Sequence, residues 1–425
     1  MNAPADYVPR IIDQDLDDLL KGLPALALEG AKGVGKTETA VRRADRLVRL
    51  DAAAEREAWA ARPFDLEPRG TLVIDEWQRY PESWDQVRRS VDAGAPPGSF
   101  ILTGSWAPKA AGVHSGAGRI AMRRMRPLSL AERRLAQPAV SLGELLKGAQ
   151  VGICGATKVG LDDYVSEIFA SGFPGIRPLP DTYRRERLEG YVANAVQREF
   201  AEQGVTVRRP QTLLAWLRAY AAATASNASY SSILDAATAG LDQKPSSDAA
   251  LNYRDVLSRA FLLDPVEAWT SAFNPLKRLA SRPKHYLADP ALAAVLLGLE
   301  REPLSAGVDG IGAAAGGRPM LGPLFEHLVA QSVLVYAQAA RARVGHLRQR
   351  DGRHEIDLVV ERGQRTVAVE VKLAKSVHDR DVAHLLWLKA ELGTALADMV
   401  VVTTGREAYR RRDGVAVVPA ALLGP

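Results

Sequence analysis

The chain has 425 residues, of which 47% are apolar and 25% charged, with a formal net charge of +5 at pH 7. This profile excludes a disordered, collagenous or coiled-coil protein, and the single cysteine, Cys154, excludes an intramolecular disulfide framework and a cysteine-only metal cage. No apolar run reaches the roughly 18 residues that span a bilayer, and the first ten residues lack the pattern of a signal peptide. We therefore expect a cytoplasmic protein that does not enter the membrane.

Strand and helix signals alternate in the first third of the chain. An apolar run at residues 23–29 leads into a glycine-rich loop, and a helix is predicted from Thr37 to Arg46. Further strands are predicted at 47–51, 71–76 and 99–105, and another after Arg119. This alternation predicts an α/β fold with a parallel sheet and helices on both faces.

The glycine-rich loop matches the pattern G-x-x-x-x-G-K-[ST]. Its residues are Gly30, Ala31, Lys32, Gly33, Val34, Gly35, Lys36 and Thr37, with Glu38 next in the helix. Glycines let the backbone wrap around phosphate, so that N–H groups and the helix N-terminus face the anion. Lys36 would reach the β- and γ-phosphates, and the Thr37 hydroxyl would ligate Mg²⁺. The loop therefore predicts a site for ATP and Mg²⁺.

The next two strands end in polar residues. Asp75 and Glu76 follow an apolar run, as in a Walker B strand, so Asp75 would hold Mg²⁺ and Glu76 would polarise the attacking water. Thr103 and Ser105 end the following strand, where AAA-type ATPases carry a sensor residue that touches the γ-phosphate or the water; alternatively, both serve turn chemistry. Arg119 either contacts the γ-phosphate, in cis or from a neighbouring subunit, or is a surface arginine.

The pattern becomes helical from about residue 136 to 270. Three helices followed by a strand are predicted there, which is the order of a winged-helix domain. The third helix offers only Asn252, Arg254 and Arg259 as donors to a DNA groove, so a packing or dimerisation module is the favoured interpretation.

The C-terminal region carries the pattern D-x12-E-x-K at Asp357, Glu370 and Lys372. On a strand, Glu370 and Lys372 project from one face while the intervening valines face the core, and the preceding turn brings Asp357 alongside. Asp357 and Glu370 would share one or two Mg²⁺ ions, Glu326 would complete the metal shell, and Lys372 would orient the attacking water. The pattern resembles the PD-(D/E)xK nuclease core; the alternative is a relic of that fold that binds without cutting.

Together these motifs resemble a family of prokaryotic ATP-binding proteins with an AAA-like P-loop domain and a C-terminal domain of unknown function 4143. The matching motifs, in chain order, are GAKGVGKT (30–37), VIDEWQ (73–78), ILTGS (101–105), HSGAGRI with RPLSLAE (114–132), SGFPGIR (171–177), RPKHYLADPAL (282–292), GPLFEHLV (322–329), HEIDLVV (354–360) and AVEVK (368–372). The resemblance implies ATP binding, a winged-helix-like middle and a nuclease-like C-terminus.

We predict three domains: an AAA-like P-loop ATPase domain at 1–135, a helical, winged-helix-like domain at 136–270 and a nuclease-like α/β domain at 271–425. The last carries 21 basic and 16 acidic side chains, whereas the middle one carries 13 and 15. Because binding to a nucleic-acid backbone needs local positive charge, DNA or RNA is expected at the C-terminal domain.

The expected function is a Mg²⁺-dependent ATPase that acts as a switch coupled to the nuclease-like domain. One alternative is a metal-dependent nuclease regulated by ATP. The other is a non-enzymatic adaptor that uses ATP as a structural ligand and binds DNA or another partner. The expected partners are ATP, DNA or RNA, and a second copy of the chain in a homo-oligomer.

Overall fold

The computed structural model describes residues 7–62, 69–106, 118–148, 152–199, 210–239, 247–269, 282–301, 320–349 and 352–425. The chain divides into two compact units. The first comprises Met1–Arg126, Phe173–Gly175 and Leu257–Leu262, and the second comprises the rest of the chain. The three-domain division at 135 and 270 stays a prediction.

The first unit is built around a parallel sheet. Its strands are β1 (Ala25–Glu29), β2 (Arg46–Arg49), β3 (Leu72–Asp75), β4 (Phe100–Gly104) and β5 (Ala121–Arg124). Within the described residues these five strands lie in the order β2-β3-β4-β1-β5, and every neighbouring pair is parallel. The helices are α1 (Ile12–Leu20), α2 (Lys36–Val41), α3 (Ala53–Ala61) and α4 (Glu82–Asp92). The predicted parallel sheet is confirmed.

Helices cover both faces of this sheet, because successive side chains of a strand point to opposite faces. Ile74 of β3 lies in a buried cluster with Trp59 of α3 and Trp84 of α4. Val73, the preceding residue of the same strand, lies in a second buried cluster with Ala40 of α2. Burial on both faces explains why β1, β3 and β4 read as continuous apolar runs.

Helix α2 is shorter than the sequence pattern predicts. It ends at Val41 rather than near Arg46. The backbone N–H groups of Asp45 and Arg46 donate to the carbonyl oxygen of Thr71, at 2.9 and 3.1 Å, just before β3 begins. The chain leaves the helix here because it is drawn into the edge of the sheet as β2.

The helices after the first sheet include those of the predicted helical middle, which is confirmed. They are α5 (Leu130–Arg133), α6 (Leu142–Leu145), α7 (Leu161–Ala170), α8 (Asp181–Asn194), α9 (Pro210–Ala222), α10 (Tyr230–Ala237), α11 (Ser247–Arg259), α12 (Pro290–Leu296), α13 (Leu321–Ala339) and α14 (Asp379–Leu392). The strand expected after α11 is reduced to isolated bridges: Leu263 to Leu287 and Val266 to Lys284, both antiparallel, and Ala268 to His346, parallel.

A mixed sheet forms the C-terminal part of the second unit. Its strands are β7 (Gly155–Ala156), β8 (Arg343–Arg348), β9 (Glu355–Arg362), β10 (Arg365–Lys372), β11 (Leu396–Thr403), β12 (Glu407–Arg410) and β13 (Ala416–Pro419). Among the described residues the order is β7-β12-β13-β11-β10-β9-β8. Two short strands, β6 (Val140–Ser141) and β14 (Leu423–Gly424), pair separately and in parallel.

The hairpin of β9 and β10 carries the predicted C-terminal residues. The strands are antiparallel and pair Val369 with Leu358, so the predicted fold-back is confirmed. Val369 is fully buried, as expected. The alternate residues are buried too, since Ala368 lies in a core cluster with Val382 of α14. Glu370 therefore stands on a strand that is covered on both sides.

Candidate functional site

The P-loop, Gly30–Thr37, runs from the end of β1, the strand between β4 and β5, into the first turn of α2. A Cβ atom at Gly30 would lie 2.1 Å from the carbonyl oxygen of Met125, so only glycine fits there. Gly35 caps α2 in a left-handed conformation, with φ of 100°. The remaining predicted residues of the loop and first helical turn are Ala31, Lys32, Gly33, Val34 and Glu38.

Lys36 is buried, and its ammonium is held by the loop itself. Nζ donates to the carbonyl oxygens of Gly30 and Ala31, at 2.9 and 3.0 Å. A residue that the sequence analysis missed supports the loop from the N-terminal segment: the Arg10 guanidinium donates to the carbonyl oxygens of Val34, at 2.8 Å, and Arg126, at 2.7 Å. The loop therefore keeps its shape through bonds to two cationic side chains.

Strand β4 lies between β1 and β3, which brings the ends of all three strands together. The Thr37 hydroxyl donates to Asp75 Oδ1 at 2.8 Å, and the fully buried Thr103 hydroxyl donates to the same oxygen. The three residues singled out from separate motifs thus meet at one carboxylate.

The donor set beside the P-loop fits Mg²⁺. This ion prefers oxygen ligands in an octahedron at about 2.1 Å, so adjacent ligand oxygens stand about 3 Å apart. The Thr37 and Asp75 oxygens are 2.8 Å apart. These two residues are the ones that would hold the ion.

Glu76 follows Asp75 in a left-handed backbone conformation, with φ of 55°. Its Oε2 accepts hydrogen bonds from the Ser105 hydroxyl, at 2.9 Å, and from the Gln78 amide. The Gln78 nitrogen also lies 3.2 Å from Ser105 Oγ. Two polar side chains therefore orient the carboxylate predicted to polarise water, and of these Gln78 was not foreseen.

Arg119 contacts the last residue of α4, Asp92. Its Nε donates to Asp92 Oδ1 at 2.8 Å, and the side chain is 48% exposed. This bond lowers the pKa of Asp92. The role of Arg119 toward a γ-phosphate stays a prediction.

Glu29, the last residue of β1, is a buried carboxylic acid that the sequence analysis also missed. Burial raises its pKa to about 7, against the opposing charges of Arg124 and Lys36. Within the described part of the chain its Oε1 atom has no hydrogen-bond partner. Its position immediately before Gly30 is the signal that could have marked it.

Two of the three groove donors proposed on the third helix of the middle region lie beside aromatic rings. The Arg254 guanidinium lies over the ring of Tyr230, 4.9 Å from its centroid, and that of Arg259 lies 5.0 Å from the ring of Trp106. The winged-helix assignment stays a prediction.

The C-terminal candidates meet in a cluster that we call the acid pocket: Glu326, Asp357 and Glu370 with Lys284 and Lys372. The Lys284 ammonium, 1% exposed, lies 2.6 Å from Asp357 Oδ1 and 2.7 Å from Glu326 Oε1. Lys372 Nζ donates to Glu370 Oε1 at 2.7 Å. The structure thus brings all four predicted residues together and adds a lysine that was not predicted.

Backbone and tyrosine donors complete the pocket. The Val371 N–H donates to Asp357 Oδ2 at 2.8 Å, and the Tyr286 hydroxyl donates to Glu326 Oε1 at 2.6 Å. Glu370 Oε2 is buried and has no hydrogen-bond partner within the described residues. One carboxylate oxygen of the pocket therefore lacks a donor.

Burial dominates the electrostatics of this pocket. It raises the pKa of Glu370 to about 8 and that of Glu326 to about 7, and in both cases the neighbouring Asp357 charge adds to the effect. Burial opposes ionisation of Asp357 as well, but the Lys284 ammonium outweighs it and holds the pKa of Asp357 below its usual value. Asp357 and Lys284 therefore form the charged pair at the centre.

As arranged, the acid pocket does not fit Mg²⁺. The facing oxygens of Asp357 and Glu326 are already bonded to an ammonium. Among the described residues no group of three histidine, cysteine, aspartate or glutamate side chains is arranged to hold a metal. The metal-ligand role of Asp357, Glu370 and Glu326 stays a prediction, and Lys284 counts against it. Lys284 and Tyr286 lie in RPKHYLADPAL (282–292), one of the motifs that carry the family resemblance. The sequence alone predicted no role for either residue.

Three family models match the chain in order. They are an AAA domain at residues 23–133, a domain of unknown function (DUF8612) at 161–303 and a domain of unknown function (DUF4143) at 321–423. None of the described helices is long and apolar enough to cross a membrane.

Two uncharacterized mycobacterial proteins are similar to this chain: Rv2008c of Mycobacterium tuberculosis and Mb2031c of Mycobacterium bovis. Each is 26% identical over 359 residues, which is 83% of this chain and 68% of the relative.

Two solved structures are also similar. The Walker-type ATPase paby2304 of Pyrococcus abyssi is 15% identical, with a TM-score of 0.42 over 68% of this chain and 96% of that one. The ORC2 protein of Aeropyrum pernix, solved as ADPNP-ADP complexes, is 14% identical, with a TM-score of 0.31 over 72% of this chain and 98% of that one. Scores this low carry no weight for function. The family matches confirm the resemblance: the chain carries an AAA-type P-loop domain at its N-terminal end, DUF8612 in its middle and DUF4143 in its C-terminal part.

Proposed function

We propose that the protein is a Mg²⁺-dependent ATPase whose nucleotide state acts as a switch on its C-terminal domain. The observation that carries this proposal is the convergence of Thr37 and Thr103 on Asp75 Oδ1 beside an intact P-loop. A glycine turn without a ligand would not need a hydroxyl, a carboxylate and a buried lysine at the same strand ends.

Binding of ATP would use groups that the loop already presents. Lys36 would exchange its bonds to the carbonyl oxygens of Gly30 and Ala31 for bonds to the β- and γ-phosphates. Thr37 and Asp75 would hold Mg²⁺, which when bound neutralises charge on the phosphates.

Hydrolysis would depend on Glu76. Its carboxylate would orient the attacking water and accept a proton from it, and the bonds from Ser105 and Gln78 fix where that carboxylate points. The Thr103 hydroxyl, bonded to Asp75 and 3.4 Å from the Glu76 nitrogen, would couple the two acidic residues.

The C-terminal domain would be the effector of the switch. Its order of helix α13 followed by β8, β9 and β10, with Asp357, Glu370 and Lys372 on the last two strands, supports a nuclease-like fold of the PD-(D/E)xK type. The excess of basic residues at 271–425 supports contact with DNA or RNA. The alternative of an ATP-regulated nuclease is not favoured, because Lys284 occupies the acid pocket.

Nucleotide binding is tested first, by calorimetry with a non-hydrolysable ATP analogue and Mg²⁺. We expect the wild type to bind and Lys36→Ala to lose at least tenfold in affinity, because it removes the charge that meets the phosphates. Lys21→Ala, which removes an exposed lysine at the end of α1, is the matched control and should bind as the wild type does. Equal affinity in all three proteins contradicts the proposed site.

The switch is tested by nucleic-acid binding, measured as the anisotropy of labelled single- and double-stranded DNA and of RNA. We expect the affinity to differ at least threefold between the ATP-analogue and ADP states, and this difference to vanish in Lys36→Ala. An affinity that ignores the nucleotide in the wild type removes the switch but leaves the ATPase proposal standing.

A further inference from the structure

The acid pocket contains its own cation. Lys284 is 1% exposed, so its side chain does not extend to solvent as a lysine usually does. Instead its ammonium bridges Asp357 and Glu326 at 2.6 and 2.7 Å, and it lies 3.8 Å from Glu355 Oε1. A buried ammonium is stable only where carboxylates and hydrogen bonds replace its water, and this pocket supplies both.

The backbone fixes this position of Lys284. The bridge between Val266 and Lys284 holds the segment extended, so alternate side chains point the same way. Lys284 and Tyr286 both reach Glu326 Oε1, whereas His285 points elsewhere and bonds to the carbonyl oxygen of Ala228. The lysine is therefore built into the pocket rather than folded into it from a flexible surface.

A divalent ion would need the same two carboxylate oxygens. An oxygen that accepts an ammonium proton at 2.6 or 2.7 Å cannot also turn toward a metal at about 2.1 Å from the same side. Two ammonium groups, from Lys284 and Lys372, already face the three carboxyl groups of the pocket. The two ammonium groups therefore occupy the oxygens that a bridging ion would use and offset most of the negative charge that a divalent ion requires.

One feature of a metal site nevertheless persists. Glu370 Oε2 is buried, and within the described residues no donor reaches it. The backbone N–H of Val371, the residue after Glu370, donates to Asp357 Oδ2 at 2.8 Å. The pocket thus keeps one buried carboxylate oxygen that no described donor uses.

We infer that Lys284 is the resident cation of the acid pocket: its ammonium takes the place of a divalent metal between Asp357 and Glu326, and the pocket becomes a metal site only when this lysine is replaced. The C-terminal domain of the natural chain then binds its partners without metal-dependent cleavage of phosphodiesters. The inference concerns the acid pocket alone and does not depend on the nucleotide site.

The test measures Mn²⁺ binding by electron paramagnetic resonance in the full chain without nucleotide. We expect Lys284→Met to bind one Mn²⁺ at least tenfold more tightly than the wild type, and Asp357→Asn in that background to abolish the gain. Lys372→Met is the matched control, because it removes an equal charge from the same pocket but leaves Lys284 between Asp357 and Glu326; its gain in affinity should be clearly smaller than that of Lys284→Met.

Three results overturn the inference. They are wild-type Mn²⁺ binding that Asp357→Asn removes, an equal gain in Lys372→Met, and no gain in a folded Lys284→Met or Lys284→Gln protein. The wild-type arm needs no lysine variant, so it decides the question even where the substitutions prevent folding. A cleavage assay of DNA and RNA with Mg²⁺ or Mn²⁺ should show no Asp357-dependent cutting by the wild type.

Discussion

At the scale of single residues, the chemistry of the nucleotide site depends on which donors share an oxygen. Asp75 Oδ1 accepts from Thr37 and Thr103, and Glu76 Oε2 accepts from Ser105 and a glutamine amide. Loss of either donor removes one hydrogen bond to a charged oxygen, at a cost of about 1.5–3 kcal/mol. These shared oxygens are where substitutions should separate catalysis from binding.

Removal of the Ser105 hydroxyl should slow hydrolysis without weakening ATP binding. In Ser105→Ala the Glu76 carboxylate keeps only its bond from Gln78 and is less well oriented. We expect kcat to fall roughly tenfold, which corresponds to the loss of one bond to a charged group, with KM nearly unchanged. Steady-state kinetics beside the control Ser90→Ala measures this; a rise in KM at constant kcat would show that Ser105 serves binding instead.

Gly30→Ala should destabilise the first unit more than a glycine substitution in open space. Its added Cβ meets the Met125 carbonyl oxygen at 2.1 Å, whereas at Gly94, with φ of +95°, nothing lies within 4 Å. We expect a cost of about 3 kcal/mol at Gly30, because overpacking adds to the backbone strain, and about 1 kcal/mol at Gly94. Urea unfolding compares the two, and equal costs would contradict the close approach.

The P-loop and Walker B residues were predictable because each motif is local: spacing along one strand and one turn fixes their positions. Gln78 and Lys284 were not: nothing in the motif VIDEWQ shows that the Gln78 amide turns back to Glu76, and Lys284 is defined by partners on other segments. Lys284 is separated from Asp357 by 73 positions, and no periodicity in the sequence connects them.

At the scale of elements, one arginine holds four segments of the second unit together. The Arg133 side chain, at the end of α5, is 0% exposed and donates to Glu167 of α7 at 3.1 Å. It also donates to Gln331 of α13 at 3.3 Å and lies 3.8 Å from Asp289, which caps α12. Packing of these helices is therefore coupled to a single buried charge.

Arg133→Ala should cost about 3–5 kcal/mol of unfolding free energy, because it removes a buried cation from beside Asp289 and leaves Glu167 with Arg177 alone. The matched variant Arg185→Ala breaks an exposed bond to Glu189 within α8 and should cost at most about 0.5 kcal/mol. Chemical denaturation followed by circular dichroism tests both. A cost at Arg133 no larger than that at Arg185 would mean that the charges separate and rehydrate.

Elements with a clear apolar pattern were predictable, whereas strands β12 and β13 were not. The helix Leu161–Ala170 and the hairpin of β9 and β10 follow from the apolar periodicity. Strands β12 and β13, of four residues each, carry too few residues to show alternation, and they form by pairing with each other and with β11. The end of α2 was predicted too late because sheet pairing, which is not local, overrides helix propensity.

At the scale of the whole molecule, buried histidines should make stability depend on pH. Burial lowers the pKa of His346 to about 4, and its Nε2 atom lies 2.9 Å from the carbonyl oxygen of Arg282. The unfolded chain takes up a proton near its ordinary pKa of about 6.5, whereas the folded chain resists protonation. Stability from this residue is complete above about pH 6.5 and is lost as the pH falls toward 4.

His346 should therefore lower the free energy of unfolding by about 2 kcal/mol between pH 7 and pH 5, whereas the raised pKa values of Glu29, Glu326 and Glu370 change it in the opposite direction. In His346→Gln, which keeps a donor for the Arg282 carbonyl oxygen but does not titrate, the free energy of unfolding at pH 5 relative to pH 7 should be about 2 kcal/mol higher than in the wild type. Urea titrations at pH 7, 6 and 5 measure both proteins. Parallel pH profiles would show that His346 is protonated without unfolding.

The order of a parallel α/β unit, a helical middle and a second α/β region could be predicted from the sequence, because composition and periodicity change along the chain. The charge excess of residues 271–425 was visible in the same way. The division into two compact units was not, because it depends on contacts between segments far apart, such as Phe173–Gly175 with the first unit.

ATP hydrolysis by the wild type and by Glu76→Gln, measured side by side with Mg²⁺, tests the proposed ATPase most directly. We expect measurable turnover in the wild type and a loss of roughly 100-fold in kcat in the variant, since a general base contributes about that much, with nucleotide affinity retained. The exposed residue Glu82 supplies the control Glu82→Gln, which should turn over ATP as the wild type does. Turnover that is absent in the wild type, or equal in wild type and Glu76→Gln, would contradict the assignment of this P-loop protein as an ATPase.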